Sequence, residues 1–139
     1  MKIGSNDLCP CKSKKKYKFC CQIFHKGSNP KNATLLMRSR FSAYAISNAK
    51  YIIKTTHPKN EHFLQDEQKW MEDILEFCKS SDFENLEILS DFHNENDAQV
   101  QFIATFVQSG EKIKMHEISQ FEKIDGKWFY LSGSVNFLD

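Results

Sequence analysis

Cys9-Pro10-Cys11 and Cys20-Cys21 form two close pairs of thiols across an eight-residue loop, a spacing that makes them a ligand set. Four thiolates suit zinc, which takes them tetrahedrally at about 2.3 Å and then has no position open for chemistry. A disulfide framework is the weaker account. Asp7 and the neighbouring lysines and cysteines stand where a secretory signal would need an apolar core, and cytosolic thiols stay reduced. Zinc also answers a size problem, because a head of about twenty residues with few apolar side chains buries too little surface to fold alone. Cys9, Cys11, Cys20 and Cys21 are therefore the expected ligands of one zinc. His25, four residues beyond Cys21, is the alternative fourth ligand in place of Cys21.

A second group of reactive side chains lies far from the cysteines. Ile113, Met115, Glu117, Ser119 and Phe121 alternate along one face of an expected strand, so a carboxylate and a hydroxyl share an apolar row. A buried carboxylate needs a partner. Arg40 is the expected one, because it recurs with Leu36, Met37, Phe41, Tyr44 and Ala45 at helical spacing on the apolar stripe of an earlier segment. An Arg40–Glu117 ion pair follows as an expectation. If the chain were an enzyme, Glu117, His57 or His116 would serve as acid or base, Arg40 would hold an anionic substrate, and Tyr44 or Tyr130 would donate hydrogen bonds. Against this, His116 falls on the strand face opposite Glu117, His57 precedes Pro58 at a helix end, and a carboxylate tied to arginine is a better brace than base. No catalytic residue is assigned on this reading, and Trp128 and Tyr130 read as core or rim.

These residues need elements to position them. Helical periodicity covers 33–47, 50–55 and about 65–79, with Trp70, Ile74 and Phe77 inward and Cys78 an inert core thiol. From Phe83 the period becomes two. Leu86, Ile88, Ser90 and Phe92 are expected on one face, as are Val100, Phe102, Ala104 and Phe106 on the next strand. Ser109-Gly110 introduces a strand over about 112–124, and Asp125-Gly126 marks a hairpin before a last strand over 128–132. Helices followed by a four-stranded meander predict an α+β domain with helices on one face of an antiparallel sheet. No phosphate loop or GxGxxG is present, which argues against ATP or dinucleotide use.

Length and charge set bounds. At 139 residues the chain fits one domain with a small module, split here into residues 1–29 and 30–139. Its longest charge-free run, 98–110, is too short to cross a bilayer, so a cytoplasmic protein with no membrane partner is expected. The net charge of +1 conceals a division, since residues 1–31 carry eight lysines against Asp7 alone, or +7, which leaves −6 for the rest. Such a head suggests an anionic partner, whether RNA, a ribosome or an acidic protein surface. The same lysines are also expected to balance the thiolates and to dock against the chain's own acidic body.

The run from Cys9 to Cys21 resembles a SEC-C motif, a small zinc-binding element that ends the SecA translocation ATPase and is attached to many other domains. The motif's metal ligands match Cys9, Cys11, Cys20 and Cys21, and its usual aromatic matches Tyr17. Its Gly-Ser-Gly turn reads Lys12-Ser13-Lys14 here, so left-handed backbone there falls on residues with side chains. Arg38 to Tyr44, Thr56-His57-Pro58, Glu117-x-Ser119-x-Phe121 and Gly126 to Gly133 extend the likeness and together resemble the YchJ-like family. That resemblance implies a SEC-C module joined to a nuclear transport factor 2-like (cystatin-like) domain, a cone of helices on a curved sheet with a pocket between them. Family members often carry arginine where Ile118 and Gln120 stand, and many have a second SEC-C motif. The implied function is a zinc-binding adaptor, its head docking on a protein or ribosomal partner and its cone binding a small ligand or forming a homodimer. The alternative is an isomerase-, dehydratase- or hydrolase-like enzyme acting in the cone.

Overall fold

The computed structural model describes residues 3–64 and 66–138. Lys2 of the basic head and Gln65, expected to open the third helix, lie outside them. The head comprises a 3₁₀ turn, Tyr17–Phe19, and a short helix α1, Cys21–His25. The body opens with α2, Ala33–Ala45, and α3, Ala49–Lys54, and after a second 3₁₀ turn continues with α4, Glu67–Lys79. Each of these three helices begins where a side chain accepts a hydrogen bond from an otherwise unpaired backbone N–H: Asn32 from Leu35, Asn48 from Tyr51 and Asp66 from Gln68. Ser47 takes left-handed backbone (φ 61°) between α2 and α3.

Four strands follow as an antiparallel meander in the order β1-β2-β3-β4: Asp82–His93, Asp97–Gln108, Glu111–Ile124 and Lys127–Leu138. Ser109-Gly110 and Asp125-Gly126 both have positive φ at two successive residues, the backbone of the tight hairpin turn expected of these pairs. Two findings differ from the sequence-based expectation. A bulge at Leu89 shifts the register of β1, so Ser90 and Phe92 pair beside Gln101 and Gln99, while Asp91 and His93 take the inner positions beside Val100 and Ala98. Phe92 is consequently exposed. The last strand also runs past Ser132 to Leu138, because pairing with β3 continues through polar Ser134 and Asn136.

The inner face of the sheet, with Phe102, Ala104, Phe121 and Val100, packs against Leu36, Phe41, Ile52, Trp70 and Ile74 of the helices. Phe41, Tyr44, Phe77, Phe83 and Phe106 meet edge-on or tilted, with centroids 5.7–6.2 Å apart, where β1 and β2 approach α2 and α4. Cys78 is buried in this core, and burial raises its thiol pKa, which keeps it protonated and unreactive. The head has its own small cluster of Cys9, Cys11, Tyr17 and Cys21, against which Ile3 and Ile46 pack.

Candidate functional site

The head brings its four cysteines to one point. Lys12 and Lys14 both adopt left-handed backbone (φ 65° and 72°), which turns the loop tightly enough for Cys9 and Cys11 to face Cys20 and Cys21. All four Sγ atoms lie within 4.8 Å of one another, with Cys11 to Cys20 at 3.6 Å and Cys20 to Cys21 at 3.9 Å. A tetrahedron with arms of about 2.3 Å has edges of about 3.8 Å, so the cluster fits a four-thiolate metal ion. Cys9, Cys11 and Cys21 are buried and Cys20 half-buried. Ser13 Oγ lies 3.1 Å from Cys20 Sγ and Ser42 Oγ 3.3 Å from Cys9 Sγ, placed to donate to thiolates. The thiols compete for protons. Donation from Cys21 and Cys9 lowers the pKa of Cys11, donation from Cys21 lowers that of Cys20 to about 6, and the Cys21 thiol is raised by its bonds to Cys11, Cys20 and Cys9. A divalent cation removes that conflict by letting all four ionise.

The strain at the two lysines is testable. Left-handed backbone costs a residue with a side chain about 1–2 kcal/mol, and glycine's lost chain entropy returns about 0.5–1 kcal/mol of that. Lys12→Gly and Lys14→Gly should each stabilise the head by about 0.5 kcal/mol, read as a higher chelator concentration at half release. An unchanged midpoint would count against strain in this turn.

His25 stands outside the cysteine cluster, which corrects its candidacy as fourth ligand. Its Nε2 donates to the Ser39 carbonyl at 2.8 Å, which leaves Nδ1 to accept from the Tyr17 hydroxyl at 2.6 Å. Its ring also meets Tyr51 edge-on at 4.7 Å. His25 is thus a rivet between head and body, together with the Arg38 guanidinium, which donates to the Cys11 carbonyl at 2.9 Å. No head lysine forms an ion pair among the described residues, and the seven described ones are all exposed. The expected docking of these lysines on the acidic body is therefore not observed. Head and body are joined where Cys9 meets buried Ser42, His25 meets buried Ser39 and Tyr51, and Ile46, just past α2, packs on the cysteine cluster.

Burial lowers the His25 pKa below its ordinary 6.5. Below that value the unfolded chain binds a proton that the folded chain resists, so stability is full above about pH 6.5 and falls as pH drops toward the depressed folded value. His25→Asn should reduce stability at neutral pH by about 1 kcal/mol and flatten the loss seen in thermal melts between about pH 7 and pH 5.5. An equally steep loss in the variant would assign it to other groups.

In the body, α2 and β3 direct Arg40 and Glu117 into one cavity of about 350 Å³. The expected ion pair between them is absent, and no opposite charge among the described residues lies within 4 Å of either. Tyr130 stands between them instead. The Arg40 guanidinium lies 4.5 Å from its ring centre, and its hydroxyl donates to Glu117 Oε2 at 2.9 Å. Ser119 donates to the same oxygen at 2.5 Å. Arg40 Nη1 donates to Thr55 and Thr56 hydroxyls at 2.8 and 3.2 Å and to the Ile52 carbonyl at 3.1 Å, closing the end of α3. The Tyr130 hydroxyl pKa is raised by burial first and by the Glu117 charge second, so it remains a donor.

The other candidates fall elsewhere. His57 is buried but lies outside the cavity lining. Its Nε2 donates to Glu122 at 2.8 Å, and its Nδ1 accepts from the Lys59 amide at 3.0 Å. His116 sits on the outer face beside Gln101, and Trp128 packs against His93 in the core. Tyr44 does line the cavity, and burial raises its hydroxyl pKa. Sequence reasoning missed Thr55 and Thr56 as the holders of Arg40 and Gly133 as the neighbour of Glu117. The hydroxyl pair at the foot of α3 was the available signal for the former.

The profile of the YchJ middle NTF2-like domain matches residues 32–133, and that of the SEC-C motif matches residues 6–23. The chain belongs to the YchJ-like family. A UPF0225 protein of Serratia proteamaculans is 37% identical over 92% of this chain and 83% of its own length, and one of Geobacter sulfurreducens is 34% identical over 91% and 78%. The solution structure of a SEC-C motif containing protein from Rhodopseudomonas palustris superposes with a TM-score of 0.80 at 33% identity, covering 91% of this chain and 96% of that one. A crystal structure from Psychrobacter arcticus, also a SEC-C motif containing protein, gives 0.79 at 28% identity over 97% and 86%. The YchJ-like reading thus holds for the α+β cone and the cysteine-bearing head. No helix among the described residues is long and apolar enough to cross a membrane.

Proposed function

We propose that this protein is a cytoplasmic zinc-binding adaptor: its head holds one structural zinc on Cys9, Cys11, Cys20 and Cys21 and docks on an acidic partner, and its cone binds a small ligand without turnover. The observation that carries the reading is the closed set of four converging thiols, three of them buried, which leaves a metal no free position for a substrate. The exposed lysines support docking, as do Phe19 and Leu8, apolar and 64% and 65% exposed among them. The cavity supports ligand binding. The enzyme alternative rests on Glu117, whose Oε1 has no partner among the described residues. Its expected partner is not available, because His57 is committed to Glu122 and the Lys59 amide, while the other imidazole and carboxylate on the lining, His62 and Asp73, are exposed, stacked on Trp70 and paired with Lys69 respectively.

Native mass spectrometry of protein purified without chelator should show one zinc per chain, and metal-free folded protein would overturn the metal assignment. Sedimentation with ribosomes should occur at low salt, weaken steeply as salt rises, and be lost in the triple variant Lys14→Glu, Lys15→Glu, Lys16→Glu. Failure to sediment at low salt would overturn a ribosomal partner.

A further inference from the structure

The cone holds two buried side chains of opposite charge that face the same cavity and pair with nothing charged among the described residues. Arg40 is 4% exposed and Glu117 8% exposed, yet neither has an opposite charge within 4 Å among the described residues. Buried charges are ordinarily paired, because removing an ion from water without a counter-charge is expensive. Each of the two is half satisfied. Both bonds to Glu117 fall on Oε2, so Oε1 is open, and all three bonds from Arg40 leave Nη1, so Nε and Nη2 are free among the described residues. No fully buried side-chain oxygen or nitrogen among the described residues lacks a partner. The open atoms of Arg40 and Glu117 are therefore reached from the cavity they line.

The free edge of Arg40 is the Nε–Nη2 fork, whose two parallel N–H groups match a carboxylate. Glu117 Oε1 accepts only, so it calls for a donor, best a cationic one. Tyr130 lies between them, its ring under the guanidinium and its hydroxyl on Glu117 Oε2, and all three line the same cavity. The remaining walls are mostly apolar and aromatic, including Phe41, Trp70, Phe102 and Phe106; of the polar lining residues, His62 and Asp73 are exposed, and Asp73 is already paired with Lys69. The cavity's volume of about 350 Å³ lies at the lower end of the range for small-molecule sites.

We propose that the cone pocket binds a free apolar α-amino acid, its carboxylate on the Arg40 fork, its ammonium on Glu117 Oε1 and its side chain against the aromatic wall. The proposal rests on the reading of the cone as a ligand site and names the ligand class for it. A zwitterion whose two charges hang from one carbon neutralises both buried charges at once. A simple carboxylate or a simple amine satisfies one charge and leaves the other unpaired, which costs affinity.

The test uses the zinc-loaded full chain and follows the Trp70 indole, Ala104 and Met115 by NMR during titration with L-phenylalanine, L-leucine, L-methionine and L-tryptophan. Phenylacetate, phenethylamine and toluene serve as controls that carry one charge or none. At least one amino acid should bind saturably, at least about tenfold more tightly than any control. Glu117→Gln should remove that preference while leaving phenylacetate binding within about twofold, and Ala104→Leu, which narrows the cavity, should weaken every probe. Toluene or a singly charged probe binding as well as all four amino acids would overturn the amino-acid assignment and leave the cone a ligand site. No response to any probe, toluene included, would overturn both readings. The comparison of probes on the unmodified chain stands even if a variant does not fold.

Discussion

Replacing Cys21 with serine is expected to abolish the proposed zinc binding and to release residues 3–27 from the body while the four-stranded sheet stays folded. The head buries one aromatic, Tyr17, with its cysteines and little else. Zinc contributes on the order of 10 kcal/mol of folding free energy in small sites of this kind. A serine hydroxyl does not ionise to replace the lost thiolate, and His25 cannot move in without breaking its bonds to Tyr17 and Ser39. The body has its own core running from Ala33 to Trp128 and should lose only the cover that Phe24, His25 and the cysteine loop give α2 and α3. Hydrogen exchange should show the head's amides unprotected and those of β2 and β3 protected, with native mass spectrometry showing no bound metal. One zinc retained with an ordered head would mean that three thiolates and another donor suffice.

The second large effect is expected at Gly133. It lies on β4 opposite Ser119, and a methyl group there would stand 2.5 Å from the Tyr130 hydroxyl and run into the Glu117 carboxylate. Both obstructing groups are held. Glu117 is fixed by Ser119 and Tyr130, and Tyr130 by the Arg40 cation above its ring. Overpacking against such neighbours costs about 3 kcal/mol, equivalent to roughly 10 °C in the melting midpoint of a chain this size. Gly126→Ala is the control. Nothing lies within 4 Å of a methyl there, and its positive φ accounts for about 1 kcal/mol alone. Adding Glu117→Ala to Gly133→Ala should recover part of the loss, because the main obstruction is then gone. A Gly133→Ala protein that melts with the Gly126→Ala control would show that the Glu117–Tyr130 arrangement is loosely held.

The parts of this structure legible in the sequence are those governed by local spacing. Cysteine pairs across a short loop, paired turn residues at Ser109-Gly110 and Asp125-Gly126, and a helical stripe that includes Arg40 each depend on residues a few positions apart. What spacing did not reveal depends on register and on partners distant in the chain. One extra residue at Leu89 reverses the faces of Ser90 and Phe92, and nothing in the alternation of β1 announces it. The far half of β4 is polar enough to read as loop, yet its backbone pairing with β3 continues to Leu138. Arg40 and Glu117 were each legible as buried charges. Charge alone suggested that they meet, whereas the bulge at Leu131 and the register of β4 bring Tyr130 between them. The head's fastening was hidden for the same reason, since His25 reads as a spare ligand until Ser39 and Tyr51 are placed beside it.

Helix α2 faces two ways. Arg38 and Ser42 reach from it to the cysteine loop, while Arg40 and Tyr44 reach from its other side into the cone. Metal and cavity therefore share thirteen residues of rigid backbone rather than belonging to separable halves. If zinc occupancy settles the position of that helix, it settles the position of the guanidinium two residues from Arg38. Thermodynamic linkage then requires reciprocity: whatever factor zinc adds to affinity in the cone, an occupant of the cone returns to the affinity for zinc.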